Sequence, residues 1–324
     1  MPSQGKVARL KPPALQPGDT VGIVAPASNI KPDLLEAGCA ALRDLEYKPF
    51  YFDSIFEHAL FFAGSVARRA QELEEMFVRD DVRAIICARG GYGSNYLLNL
   101  LDLKKIKAHP KIFVGYSDLT TLMTYFTDSA GFITFHGPMV TKDFANADGV
   151  DLDSWKHALS GSSEWALSLE SDVKSLVEGS AEGILYGGCL SILVASLGTP
   201  YAVRTAGTIL FLEDVAAKPY QIDRMLMQLK LAGKLADVRG IVFGEMLDCT
   251  QHKEQTYTLE EVVLRVVGDL KVPVAYGLRS GHVSRGNMTL PLGVKAALDV
   301  TSSGVDLRIL EAATTAAVSS RSAR

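Results

Sequence analysis

The segment KIFVGYSDLT, residues 111–120, has the order of a strand, a tight turn and the start of a helix. Residues 112–114 form a short apolar run, Gly115 permits a sharp turn, and a helical pattern follows. Ser117 therefore lies where a nucleophile elbow presents a hydroxyl beside the free N–H groups of a helix N-terminus. A serine in that position is well placed to attack a carbonyl group.

The same segment has a second interpretation, as a helix cap. Leu119 stands where the usual G-x-S-x-G elbow has its second glycine. Ser and Asp are also preferred N-cap residues, so Ser117 or Asp118 could simply cap the following helix. The choice between these interpretations depends on whether the rest of the chain supplies a base, an acid and oxyanion donors.

Strand patterns alternate with helical patterns on both sides of this segment, which predicts an α/β fold with a mostly parallel sheet flanked by helices. Ligand sites in such sheets collect at the carboxyl ends of the strands. The predicted strands are 19–26, 49–52, 82–88, 112–114, 132–135, 207–212, 239–243, 272–278 and 306–310. The predicted helices are 32–45, 65–78, 94–101, 119–126, 190–197, 220–231 and 259–270.

The length of 324 residues fits two domains. The alternating residues 288–300, broken at Gly293, predict a hairpin within the second domain. The predicted organisation is an N-terminal α/β domain (1–140), a polar linker or crossover (141–182), a C-terminal α/β domain with mixed strands (183–312) and a disordered tail (313–324).

Composition excludes several classes of function. The net charge is −4 and no run of Lys or Arg is present, which argues against nucleic acid as a partner. The four cysteines are far apart without a C-x-x-C pair, so the sequence predicts no metal site. No apolar segment is long enough to span a membrane, and the N-terminus has no signal-peptide core, so we expect a cytoplasmic protein without a membrane partner.

A serine nucleophile needs a base, and the base needs an orienting acid. His136 and His282 each follow a predicted strand and are flanked by glycine, and His282 is the better base because its loop has few apolar residues. Glu213 ends a very apolar strand, where a carboxylate is costly to bury without a partner. Asp214 and Glu245 compete for the same role.

The turn RGGYG, residues 89–93, offers backbone N–H groups close to the predicted elbow. The N–H of Gly91 and that of Asp118 could form an oxyanion hole. A phosphate-binding loop is the alternative, but the turn has neither G-x-G-x-x-G spacing nor a Walker lysine.

Taken together, these segments resemble the LD-carboxypeptidases, a family of serine peptidases that includes muropeptide LD-carboxypeptidase and the microcin-C self-immunity protein. The matching segments are GDTVGIVAPAS (18–28), FFAGSVARRAQELEEMF (61–77), ARGGYGSNYLL (88–98), PKIFVGYSDLTTL (110–122), TFHGPM (134–139), LFLEDV with PYQIDRML (210–226), GIVFGEM (240–246) and GHVSRGNMTLPLG (281–293). The resemblance implies a catalytic triad of Ser117, Glu213 and His282. It also implies two domains with the active site at their interface, a homodimer, and no metal or cofactor.

The activity implied is hydrolysis of the amide between an L-centre and a terminal D-amino acid in a small peptide, with release of D-alanine from muropeptides during peptidoglycan recycling. Arg89 and Arg285 are candidates to bind the substrate carboxylate. Cys189 and Gln71 depart from the family pattern, which often has Asn and Asp there. The alternatives are a peptidyl-nucleotide amidase of the microcin type, a non-catalytic binding module and an ordinary α/β-hydrolase, and the lack of an HGGG-type segment disfavours the last.

Overall fold

The computed structural model describes residues 9–169, 173–250 and 256–316, and it contains two β-sheets flanked by helices. The predicted fold class, a two-part α/β architecture, is confirmed. Among the described residues, no helix combines the length and the apolar content needed to cross a membrane.

The first sheet has six strands and carries the segment from which the fold was predicted. Its strands are β1 (Thr20–Val24), β2 (Lys48–Phe50), β3 (Val82–Cys87), β4 (Ile112–Gly115), β5 (Thr134–His136) and β12 (Leu290–Leu292). Their order across the sheet is β12-β5-β4-β3-β1-β2, and all neighbours are parallel except β12, which runs antiparallel to β5.

The helices that follow these strands are α1 (Pro32–Asp44), α2 (Val66–Val78), α3 (Leu103–Lys107) and α4 (Thr120–Tyr125). Pro32 begins α1, where its missing N–H costs nothing. Ser65 caps α2 as expected, because its side chain accepts a hydrogen bond from the Arg68 N–H.

The second sheet has eight strands. They are β6 (Trp165–Ala166), β7 (Lys174–Val177), β8 (Gly179–Cys189), β9 (Thr208–Glu213), β10 (Gly240–Gly244), β11 (Val274–Leu278), β13 (Lys295–Thr301) and β14 (Gly304–Ile309). Their order across the sheet is β6-β14-β13-β8-β9-β10-β11-β7, and the central strands β8 to β11 are parallel. The remaining helices are α5 (Leu152–Leu159), α6 (Leu190–Ala195), α7 (Pro219–Leu231) and α8 (Leu259–Val267).

Three local expectations differ from the structure. Residues 141–182 are more than a linker, since they contain α5, β6, β7 and the start of β8. Residues 288–300 do not form a hairpin, because β12 joins the first sheet and β13 the second. The tail is ordered at least to residue 316: Ala313 and Thr314 are buried, and the Thr315 N–H donates to the Pro12 carbonyl. Residues 317–324 lie outside the described part of the chain.

One hydrophobic core joins the two sheets. It contains Phe113 of β4 together with Phe211 of β9 and Val242 of β10, all buried. A second cluster fills the space between the other face of the second sheet and the helices α7 and α8. The two sheets therefore share one of the two hydrophobic clusters, and the second cluster belongs to the second half alone.

Candidate active site

Ser117 lies at the sharp turn between β4 and α4, with a backbone φ of 64°. That value is in the left-handed region, which L-residues rarely occupy because their Cβ is crowded there. Such strain collects at functional sites, and it is a feature of nucleophile elbows. Neither the short 3₁₀ turn at Ser117–Leu119 nor α4 has a side-chain cap, so the helix-cap interpretation of Ser117 is wrong.

Glu213 and His282 form a close pair at the carboxyl ends of strands β9 and β11 of the second sheet. Glu213 ends β9 and is fully buried, and His282 follows β11 with a side chain that is only 12% exposed. The Glu213 Oε2 accepts hydrogen bonds from the His282 Nδ1 at 2.8 Å and from the His282 backbone N–H at 3.1 Å. Because a carboxylate can only accept, the Nδ1 carries the ring proton and the Nε2 is left as a base.

The charge of Glu213 is stabilised by its neighbours. Full burial acts to raise its pKa, but the attraction of His282 and contacts with His136 outweigh burial and lower the pKa to about 2. The carboxyl therefore stays ionised across the whole range in which a histidine titrates.

Packing brings the serine turn against the histidine. The ring of Tyr116, the residue before Ser117, meets the His282 ring edge-on with centroids 5.1 Å apart. Within the described part of the chain, no hydrogen bond joins the Ser117 hydroxyl to His282. Contacts between a nucleophile and its base are often long without substrate and shorten when it binds.

The glycine turn lies directly over Ser117. A Cβ added to Gly90 would be 2.8 Å from the Ser117 Cβ, 3.0 Å from its Oγ and 3.4 Å from the backbone N of Asp118. Gly91 has a φ of 99°, and a side chain there would collide with Ser28. The turn therefore approaches the Ser117 side chain as closely as glycine alone permits.

Three hydrogen bonds hold the glycine turn in place. The Ser28 Oγ accepts a hydrogen bond from the Tyr92 N–H at 3.1 Å. The Asp118 carboxylate accepts from the Ser94 N–H at 2.8 Å, and the Ser94 hydroxyl donates to the Asp118 carbonyl at 2.7 Å. Sequence reasoning missed Ser28 and Ser94, although both lie in segments that carry the family resemblance. Their only signal is a serine directly after a strand or a glycine turn.

The other candidate acids have different partners. The Asp214 carboxylate accepts from the backbone N–H groups of Ser191 and Val215, and burial raises its pKa. Glu245 accepts from the Ser284 N–H at 3.0 Å and so holds the loop that carries His282.

The two arginines lie in different surroundings. Arg89 is exposed, and its guanidinium donates to the Asn29 carbonyl at 3.2 Å. Arg285 is also exposed, and together with Lys174, Glu245 and Arg279 it lines a cavity of about 310 Å³ beside the His282 loop.

The two departures from the family pattern differ in their proximity to the site. Cys189 is buried at the end of β8, pairs in register with Glu213, and its N–H donates to the Thr120 Oγ1 at 3.1 Å. Proximity to Glu213 adds to burial in raising the pKa of the Cys189 thiol. Gln71 is exposed on α2.

Comparison with known families identifies the class of this protein. Residues 21–137 match the LD-carboxypeptidase N-terminal domain, and residues 182–298 match the LD-carboxypeptidase C-terminal domain. The chain belongs to the LD-carboxypeptidase family, whose members are peptide hydrolases.

Individual relatives cover almost the whole chain. A probable murein peptide carboxypeptidase of Bacillus subtilis is 40% identical, covering 89% of this chain and 91% of its own. The structure of muramoyltetrapeptide carboxypeptidase from Oxalobacter formigenes matches with a TM-score of 0.80 at 28% identity, over 92% of this chain and all of that one. The wild-type apo structure of the microcin C7 self-immunity protein MccF matches with a TM-score of 0.87 at 26% identity, over 94% of this chain and all of that one.

Proposed function

We propose that this protein is a serine LD-carboxypeptidase with a triad of Ser117, His282 and Glu213. It would hydrolyse the amide between an L-centre and a terminal D-alanine in murein tetrapeptides. The observation that carries the proposal is the strained φ of 64° at Ser117, next to a histidine that is hydrogen-bonded to a buried, ionised glutamate. A strained backbone at Ser117 and a buried pair of Glu213 and His282 both cost folding free energy, so stability alone does not explain why they occur together.

The proposed reaction begins when the Ser117 Oγ attacks the carbonyl carbon of the L-centre. The His282 Nε2 takes the hydroxyl proton, and Glu213 holds and stabilises the resulting imidazolium. The N–H groups of Gly91 and Asp118 donate to the oxyanion of the tetrahedral intermediate. The intermediate collapses, the C–N bond breaks, and His282 gives its proton to the departing amine of D-alanine.

The second half of the reaction returns the enzyme to its starting state. A water molecule gives a proton to the His282 Nε2 and attacks the acyl-enzyme carbonyl. The C–O bond to Ser117 then breaks, and Ser117 recovers its proton from His282. The products are free D-alanine and a shortened peptide with a new carboxylate.

A carboxypeptidase must recognise the terminal carboxylate of its substrate. Arg285 is the stronger of the two proposed binding residues, because it lines the cavity beside the His282 loop together with two other cations. Arg89 already donates to a backbone carbonyl, which suits a role in holding the glycine turn. We place the activity in the cytoplasmic recycling of peptidoglycan fragments.

The test is to incubate the purified protein with a cell-wall tetrapeptide that ends in D-alanine and to follow the products by mass spectrometry. We expect the wild type to remove one alanine and Ser117→Ala to be slower on the order of 10⁴–10⁶-fold. The same peptide ending in L-alanine is the stereochemical control. A folded wild type that leaves the D-alanine peptide intact would contradict the proposal.

A second candidate activity follows from the likeness to MccF, which has been crystallised with glutamyl sulfamoyl guanosine. Exposed aromatic rings within residues 141–182 would favour an amidase acting on peptidyl-nucleotides, because bases stack on such rings. Trp155 and Trp165, the two tryptophans of residues 141–182, are instead buried and packed against Phe144 and His157. The sulfamoyl nucleotide is therefore the second substrate to assay, with the murein peptide first.

A further inference from the structure

His136 is a second buried histidine beside the Glu213 carboxylate. It ends β5 of the first sheet, and its Nε2 lies 3.7 Å from the Glu213 Oε1, with both side chains fully excluded from solvent. That distance is too long for a hydrogen bond. Glu213 thus stands between two imidazoles, since its other oxygen binds His282. The proposed mechanism uses only one of these histidines.

The protons around His136 follow from its other contact. The His136 Nδ1 lies 2.9 Å from the Ser280 Oγ, and the Ser280 hydroxyl donates to the Met288 carbonyl, also at 2.9 Å. A carbonyl can only accept, so the single hydroxyl proton of Ser280 points to Met288. The Ser280 Oγ can then only accept from His136. Both hydrogen bonds form at once only when the His136 Nδ1 carries a proton.

The remaining ring nitrogen then faces the carboxylate. If His136 were neutral with its one proton on Nδ1, its Nε2 would present a lone pair to the Glu213 Oε1, and two buried acceptors would oppose each other. With that proton on Nε2 instead, the Ser280 hydroxyl would have to give up its hydrogen bond to the Met288 carbonyl in order to donate to Nδ1. Among the described residues, neither atom has a hydrogen-bond partner. An unsatisfied buried acceptor costs about 1–3 kcal/mol, and more if it is charged. A second proton on His136 replaces this repulsion with an attraction between opposite charges.

Close packing leaves little space for water to bridge the two groups. A Cβ added to Gly281 would lie 2.7 Å from the Glu213 Cδ and 2.8 Å from the His136 Cε1, so the Gly281 backbone covers both side chains. The ring of Phe211 packs edge-on against His136 with centroids 5.1 Å apart. The pair is therefore enclosed by backbone on one side and by an aromatic ring on another.

We propose that His136 is an imidazolium in the resting enzyme and that its charge balances Glu213, so that His282 stays neutral and able to accept the Ser117 proton. His136 is then a positioning residue that acts through Glu213 and does not touch substrate. The role in catalysis rests on the proposed function, whereas the charge state of His136 can be measured without any substrate.

The effect on His282 follows from the charges that surround Glu213. With His136 positive, the carboxylate is already neutralised, and it attracts a proton onto His282 less strongly. Without that charge, the attraction acts on His282 alone and favours its protonated form. In the described part of the chain, the other titratable or charged groups near the pair include Tyr116, Asp143, Lys142, Cys189, Asp214 and Cys249. None of them supplies a cation in contact with Glu213 among the described residues.

The direct test is ¹⁵N NMR of the histidine rings in the full-length wild type, with the His136 signals identified by their loss in His136→Gln. The chain has six histidines, which keeps the assignment tractable. We expect both His136 nitrogens to be protonated in the resting enzyme. An unprotonated Nε2 in the folded wild type at neutral pH would overturn the proposal. In Glu213→Gln, His136 should lose its second proton, which provides a reading even if His136→Gln does not fold.

The second test measures the consequence for His282. In His136→Gln we expect the His282 ring titration and the acid limb of kcat/KM to move together to higher pH, with activity recovering there. His157→Gln, at an exposed histidine of α5, is the matched control and should leave the titration unchanged. An unshifted His282 titration, or a loss of activity equal at every pH, would show that His136 is merely structural. Because the ring titration needs no substrate, failure of the D-alanine assay alone would leave this result intact.

Discussion

Gly90 is the residue that most tightly limits the space around the proposed nucleophile. A methyl group at this position would overlap the Ser117 Cβ at 2.8 Å and its Oγ at 3.0 Å. Both atoms belong to a short side chain on a strained turn, which has little freedom to move away. We expect Gly90→Ala to lower kcat/KM by about 10²-fold, because a shift of about 1 Å in a catalytic group costs that much. Steady-state kinetics on the murein tetrapeptide provides the measurement.

Gly268→Ala is the matched control for this substitution. Gly268 follows α8 with a φ of −63°, and a Cβ there would meet nothing within 4 Å. The control should keep full activity and gain about 0.4–1 kcal/mol of stability, because alanine restricts the unfolded chain. If Gly90→Ala were as active as Gly268→Ala, the serine side chain would not need the position that the structure gives it.

Individual residues of the site were predictable where chemistry leaves a local trace. Ser117 has the strand-turn-helix order around it, and Glu213 is a carboxylate at the end of an apolar strand. Both His136 and His282 follow predicted strands and lie next to glycine, and the sequence favours His282 as the base only because its loop has few apolar residues. The structure shows that both contact Glu213, one on each oxygen, so the two alternatives are complementary. That relation depends on two sheets meeting, which no local pattern encodes.

The sequence predicts helices and strands where one face is apolar, but it does not predict which strands pair with each other. The strand at 290–292 has the expected alternation, yet it pairs with β5 of the first sheet instead of with β13. Side-chain period identifies a strand but does not specify the edge on which it pairs. Gly293, with a φ of 97°, provides the turn between the two sheets. Residues 152–159 were likewise expected to lie in a linker, because the surrounding segment is polar and short of apolar runs.

The helix α5 holds β12 in place through one buried hydroxyl. The Ser154 Oγ accepts a hydrogen bond from the Thr289 N–H at 3.0 Å, just before β12 begins. Ser154→Ala would leave that buried N–H without an acceptor, so we expect a loss of about 1–3 kcal/mol in the free energy of unfolding. The helix cap itself should survive, since Asp151 accepts from the backbone N–H of Ser154. Urea denaturation followed by circular dichroism measures the loss.

Ser160→Ala, one residue beyond the same helix, is the matched control. Ser160 is exposed, and its hydroxyl contacts the Ser162 hydroxyl, so its removal should change stability by less than about 0.5 kcal/mol. Equal losses in the two variants would mean that α5 contributes nothing specific to the position of β12. The result matters for the active site, because β12 directly follows the loop that carries His282.

Contacts between the two sheets hold the two halves of the candidate site together. Ser117 belongs to the first sheet, and Glu213 and His282 belong to the second, but a single hydrophobic core contains side chains from both sheets. A polar contact adds to this core: the hydroxyl of Tyr186, on β8, donates to the Asp128 carboxylate at 2.7 Å, just after α4. Asp128 is largely enclosed, and burial raises its pKa, while the bond from Tyr186 opposes that rise.

Tyr186→Phe tests whether this contact couples the two sheets. At neutral pH the bond joins a hydroxyl to a charged carboxylate, so we expect its removal to cost about 1.5–3 kcal/mol in one cooperative transition. As the pH falls through the raised pKa of Asp128, the bond becomes one between neutral groups, and the difference in unfolding free energy between wild type and variant should shrink.

Tyr220→Phe, at a half-exposed tyrosine whose ring keeps its contact with Arg224, is the control and should change stability by less than about 0.5 kcal/mol. Thermal unfolding of the three proteins across a pH series gives the measurement. Two separate transitions in Tyr186→Phe, or a difference that does not vary with pH, would contradict the coupling: the shared apolar core alone would then hold Ser117 opposite Glu213 and His282.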